Sequence, residues 1–99
     1  MNLDYYQTLA AAFSLPVENQ RERLAIQTLG LVGEAGEVSE PIKKHLHYGR
    51  PLDSEELVNE LGDVLWYLAE LCTILGLSLE GVAEYNIQKL HTRYPEVDA

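Results

Sequence analysis

The stretch LVNELGDVLWYLAEL, residues 57–71, decides the fold. Its apolar residues recur at three- and four-residue steps, the period of one helix face. On a wheel of ~100° per residue with Glu60 at zero, Leu57, Val64, Leu71 and Leu75 fall within about 60° on one side. Tyr67 and Ile74 fall within about 40° on the other. Glu60 therefore lies inside an apolar face, and Asp63 stands about 60° away at its border. An ionised carboxylate placed there is costly unless it is paired or holds a metal.

Outward from this helix the boundaries are chemical. Asp53 and Glu56 have capping-box spacing, so the helix is expected to start at Asp53. It runs to about Leu75, with Gly76 as its C-terminal cap. Ser78 then caps a further helix from about Leu79 to His91, and Pro95 opens an acidic tail, residues 94–99, expected to fray. Upstream, Tyr48-Gly49-Arg50-Pro51 is a stop, and a long helix precedes it from about Asn19 to about His47. Pro41 sits within that span, so a kink, bend or early end is expected near Glu37 to Pro41. Asn2 to Phe13 form the first helix on an i,i+3,i+4 stripe, broken at Leu15 by Pro16. No alternating strand pattern competes. The reading is an all-α chain of four helices in one domain, residues 1–99.

The preceding helix carries a second acidic pair, Glu34 and Glu37, within GLVGEAGEVSEPIKK, residues 30–44. Both pairs have i,i+3 spacing, so the members of each point the same way. The stripe Leu24, Leu31, Val38 and Ile42 lies about 40° to 80° from Glu34, which edges it. Two such pairs facing one another make an oxygen-rich cage, and carboxylates without Cys or His at matching spacing select Mg²⁺ or Mn²⁺ over Zn²⁺. The competing reading is an ion-pair network drawing on Arg21, Arg23, Lys43 or Lys44. Those bases share a helix with Glu34, and none lies one turn from Glu60; spacing alone leaves both readings open. Gly30, Gly33 and Gly36 each cost a helix interior about 1 kcal/mol relative to alanine, which calls for a close approach by a neighbouring helix or a ligand.

Composition bounds the function. The formal charge of −9 disfavours nucleic-acid backbones and anionic membrane surfaces, but it permits a small polyanion if a metal supplies positive charge. No stretch has the length of a membrane span, and the N-terminus lacks the charge and apolar run of a signal peptide. The one cysteine, Cys72, sits among apolar residues and reads as a buried structural thiol. His45, His47 and His91 read as surface residues, and the chain as a cytoplasmic protein.

Together with NIQKLHTRYP, residues 86–95, the two acidic stretches resemble the short, single-domain MazG-like nucleoside triphosphate pyrophosphohydrolases. The resemblance runs over about residues 24 to 95. It implies a four-helix MazG-like bundle completed by dimerisation, as a homodimer or homotetramer, because so small a chain does not easily enclose a nucleotide. It implies Mg²⁺, with Mn²⁺ as substitute, on Glu34, Glu37, Glu60 and Asp63. It implies Asn86, Lys89 and Arg93 as substrate contacts; these stand at i, i+3 and i+7 on one helix face. The implied reaction is hydrolysis of a nucleoside triphosphate between its α- and β-phosphates to the monophosphate and pyrophosphate, with water oriented by Glu37 or Glu34. A non-catalytic helical oligomerisation or metal-binding module, and a phosphoribosyl-ATP pyrophosphohydrolase, are the alternatives. The family's first acid in its EExxE motif is Gly33 here, which leaves the number of metals and the general base open; Glu40 is a partial substitute whose aim Pro41 disturbs. Tyr48, Trp66 and Tyr85 are aromatics able to stack on a base, each more simply read as packing.

Overall fold

The computed structural model describes residues 1–97 as five helical segments, with no strand among them. They are α1 (Leu3–Ala11), α2 (Gln20–Glu37), α3 (Ser39–Tyr48), α4 (Ser54–Leu75) and α5 (Leu79–Arg93). The four expected helices are all present; the second is broken at Val38 into α2 and α3. Pro41 falls in the first turn of α3, where its missing N–H deprives no carbonyl of a partner. The 98–99 part of the expected frayed tail lies outside the described residues; Tyr94 has left the helix, and a turn follows at Pro95 and Glu96.

The boundaries follow from side-chain chemistry. Asn2, Asn19, Asp53 and Ser78 each accept the backbone N–H three residues on, satisfying a donor that the first turn leaves free. Gly49 and Gly76 end α3 and α4 in the left-handed region, at φ 67° and 71°, where other residues are strained. α5 reaches Arg93, two residues beyond the expected end, so Asn86, Lys89 and Arg93 do share one helix.

α4 is the axis. α2 and α1 pack along it, and α5 leaves it at 103° after the Gly76 turn to lie against α1. A small core forms from Ala10, Ala69, Cys72 and Leu79, with Leu3, Tyr6, Leu65 and Trp66 packed on it. The Trp66 indole N–H donates to the Ala10 carbonyl at 3.2 Å, so Trp66 serves packing as expected. Burial pushes the Cys72 thiol up, in keeping with an inert structural role. Lys44 on α3 meets Glu56 on α4 at 3.5 Å and ties α3 to the start of the axis. His45, His47 and His91 are exposed, as read from sequence. No single helix is long and apolar enough to cross a membrane.

The chain is open for its size. Its radius of gyration is 16.2 Å, against about 13 Å for a compact domain of 100 residues. Its accessible surface is 7328 Å², against roughly 5,700 Å² expected from its mass. The excess lies partly on outward helix faces: Leu29 and Val32 on α2, and Val58, Leu61 and Leu68 on α4.

Candidate metal centre on the α2–α4 seam

α2 and α4 run antiparallel, and the α2 residues that face α4 are Gln20, Arg23, Gln27, Gly30 and Glu34. They form one stripe on the wheel, within about 80° of one another. The α2 face that meets α4 is thus polar, and its most buried side chain is Gln27, 1% exposed, rather than a leucine. Leu24, Leu31 and Val38 are only half-buried and Ile42 is exposed, so the expected apolar stripe is not the tightest contact of this helix.

At one end of the seam Glu34 faces Glu60 and Asp63. One carboxylate oxygen from each lies within 4.8 Å of the others, and all three residues are half-buried. Glu37, the last residue of α2, is exposed and stands outside that group, yet its charge acts on Glu34. Partial burial, then the charges of Asp63, Glu60 and Glu37, push the Glu34 carboxyl above its ordinary value of 4.5, and a hydrogen bond with Glu60 adds to this. Neither ion pair among the described residues involves these acids: Arg23 pairs with Glu70 and Lys44 with Glu56. Three crowded carboxylates without a protein cation, at hydrogen-bonding range of one central point, have the donor chemistry of a hard divalent ion.

Sequence reasoning missed Tyr6. It reaches from α1 toward this cluster, and burial followed by the Asp63 charge pushes its phenol up. Spacing within one helix carries no signal for such a contact between helices.

One turn along, Tyr67 packs against Gly30, and a Cβ at Gly30 would overlap its ring. The close approach expected of the glycines is therefore met at Gly30 by Tyr67. A Cβ at Gly33 or Gly36 would meet nothing within 4 Å, so no neighbour within the chain explains those two.

At the far end a second polar group, also unforeseen, is buried. Glu70 is 0% exposed, its Oε2 3.7 Å from Arg23 Nη2 and accepting a hydrogen bond from Ser14 Oγ. Gln27 Oε1 and Nε2, Glu70 Oε1 and Arg23 Nε are buried without a partner. Leaving such an atom unsatisfied costs about 1–3 kcal/mol. Gln20 closes the seam, donating from Nε2 to the Ile74 carbonyl at 2.9 Å.

Asn86, Lys89 and Arg93 lie on α5 and are exposed. Lys89 and Arg93 line an open groove of about 580 Å³ with Tyr85, Gln88 and Thr92. That groove shares no lining residue with the acidic cluster. The structure thus brings Glu34, Glu60 and Asp63 together, leaves Glu37 at their edge, and holds the basic residues on a separate face.

Residues 24–98 match the MazG nucleotide pyrophosphohydrolase domain, a match that covers most of the chain and all of the seam acids. The chain is also 37% identical over 101 residues to the "Gene 37 protein" of Mycobacterium phage L5, covering 94% of this chain and 89% of that protein. No solved structure is matched significantly.

Proposed function

From the premise that the chain belongs to the MazG nucleotide pyrophosphohydrolase family, we propose that it hydrolyses nucleoside triphosphates to the monophosphate and pyrophosphate in a Mg²⁺-dependent reaction. The observation that carries this reading is the meeting of Glu34, Glu60 and Asp63 within 4.8 Å, with no Lys or Arg among them. These three carboxylates, with Glu37 beside them, would hold Mg²⁺, and Mn²⁺ in its place. The ion supplies positive charge to the triphosphate oxygens, which an acidic chain of net charge −9 otherwise repels.

The chain's own groups divide the remaining work. Glu37, exposed at the end of α2 and outside the tight group of three, is free to orient the attacking water, with Glu34 as the second candidate. Lys89 and Arg93, with Asn86 on the same helix, offer donors to phosphate oxygens from a second copy, since within one chain they line a groove apart from the acids. Gly33 in place of a further acid leaves this work to fewer carboxylates than the family pattern provides.

The reading includes association of two or four copies. Exposed Leu29, Val32, Val58, Leu61 and Leu68, together with a surface larger than the mass predicts, support a partner that covers these faces. Gly33 and Gly36, whose Cβ positions are open within the chain, leave room for a neighbour's backbone.

The test is direct. Purified protein with Mg²⁺ and a panel of NTPs and dNTPs releases pyrophosphate and the monophosphate, and light scattering gives at least a dimer. A well-folded protein that releases pyrophosphate from none of them refutes the activity; release of orthophosphate instead refutes the bond assignment.

A further inference from the structure

We propose that the buried cluster of Gln27, Glu70 and Arg23 is a subsite that reads the edge of a nucleobase, and that it favours bases bearing an exocyclic amino group. The proposal rests on the nucleotide reading above and adds to it a location and a selectivity.

The cluster is over-supplied for a structural role. An Arg23–Glu70 pair closed by Ser14 needs no third member. Gln27 is 1% exposed, bonds to none of them, and leaves both its amide atoms unpartnered. A leucine of similar volume would fill that place with no polar atom to satisfy. A buried side chain that weakens the fold and serves no internal partner points to an external one.

Gln27 lies in line with Glu34 on the same helix face, seven residues away, or ~10 Å along the axis. A nucleotide with its phosphates at the acidic end extends a comparable distance to its base. Between the two ends the Tyr67 ring packs against Gly30.

Glu70 accepts a hydrogen bond from Ser14, in the irregular connection between α1 and α2. Ser14 is flanked by Phe13, 76% exposed, and Leu15, 50% exposed. The exposed Phe13 and Leu15 offer apolar surface that suits the face of a base whose edge takes the place of the Ser14 hydroxyl on Glu70.

Selectivity follows from the unpartnered atoms. Gln27 Oε1 and Glu70 Oε1 are acceptors; Gln27 Nε2 and Arg23 Nε are donors. An amino group on cytosine, adenine or guanine offers two N–H donors beside a ring or carbonyl acceptor. Uracil and thymine place a carbonyl where the amino group would be, facing a carboxylate oxygen and an amide oxygen.

The experiment uses the full chain, labelled with ¹⁵N, in Mg²⁺. CMP, AMP, GMP, UMP and TMP are titrated in turn while the Gln27 side-chain amide signals, assigned with Gln27→Leu, are followed. At least one amino-bearing monophosphate shifts them, and UMP and TMP at the same concentration shift them less. In parallel, kcat/KM for the best of CTP, ATP and GTP exceeds that for UTP by at least about tenfold. Gln27→Leu brings that ratio to within about threefold. Signals unmoved by all five monophosphates mean that the cluster holds bound water only, and the subsite is refuted even if pyrophosphate is released. Signals that respond in a protein hydrolysing no NTP keep the subsite and refute the proposed reaction. An unchanged base ratio in Gln27→Leu overturns the selectivity.

Discussion

At one end of the α2–α4 seam Glu34, Glu60 and Asp63 stand together without a Lys or Arg; at the other, Glu70 is wholly buried with Arg23 and Ser14 against it. Both ends place carboxylates from α4 against α2, yet each meets the cost differently. The far end supplies its counter-charge from the protein, which fixes the two helices relative to one another. The near end supplies none, and partial burial followed by the neighbouring acid charges holds the Glu34 carboxyl above its ordinary value. Crowded acids lacking an internal partner suit an external cation, whereas Glu70 takes its counter-charge from the protein.

The largest expected effect breaks the near end. Glu60→Gln with Asp63→Asn lowers pyrophosphate release by at least about 10²-fold, while circular dichroism keeps its helical signal. Retained activity in that double variant would place the chemistry elsewhere. At the far end, Arg23→Ala strands a buried Glu70 carboxylate and costs about 3–5 kcal/mol of stability in urea unfolding. A midpoint within error of the parent would show that the pair does not hold the helices together.

Between the ends, Gly30→Ala forces Tyr67 off the α2 backbone and destabilises by about 1–3 kcal/mol. Gly33→Ala, whose Cβ meets nothing, changes the single chain in the opposite direction by up to about 1 kcal/mol. Comparing the two in denaturant titrations separates packing from helix propensity.

The smallest effect sharpens the electrostatic contrast. Because the Glu34 value is raised on folding, its contribution to stability is present below the ordinary 4.5 and is lost as pH rises through the raised value. Thermal melts without metal should therefore lose this contribution over that window. Mg²⁺ should restore stability increasingly as pH rises, since the ionised carboxylates are the form that binds. A Mg²⁺ effect independent of pH would contradict the assignment of Glu34 as a ligand.

Much of this was legible in the residues. The helix caps at Asp53, Gly76 and Ser78 are local chemistry, so they were placed to the residue. Glu60 inside the LVNELGDVLWYLAEL face marked the near end, because an acid in an apolar stripe demands a partner. The far end stayed hidden for the converse reason. Gln20, Arg23, Gln27, Gly30 and Glu34 share one stripe on the wheel, but a hydrophobic count scores that stripe as solvent-facing. Glu70, within WYLAEL, carries the same signal as Glu60, an acid among apolar residues, but has no second acid one turn away to form a pair. The approaches of Tyr6 to Asp63 and of Tyr67 to Gly30 join separate helices, and no spacing within one helix encodes them.

The central claim is that the unpaired acids at the near end hold a divalent cation. Titrating metal-free protein with Mn²⁺, and following the free ion by electron paramagnetic resonance, tests it without requiring turnover. The account predicts saturable binding to the parent chain, competed by Mg²⁺ and lost in the Glu60→Gln, Asp63→Asn variant. Equal Mn²⁺ binding by parent and variant would contradict it.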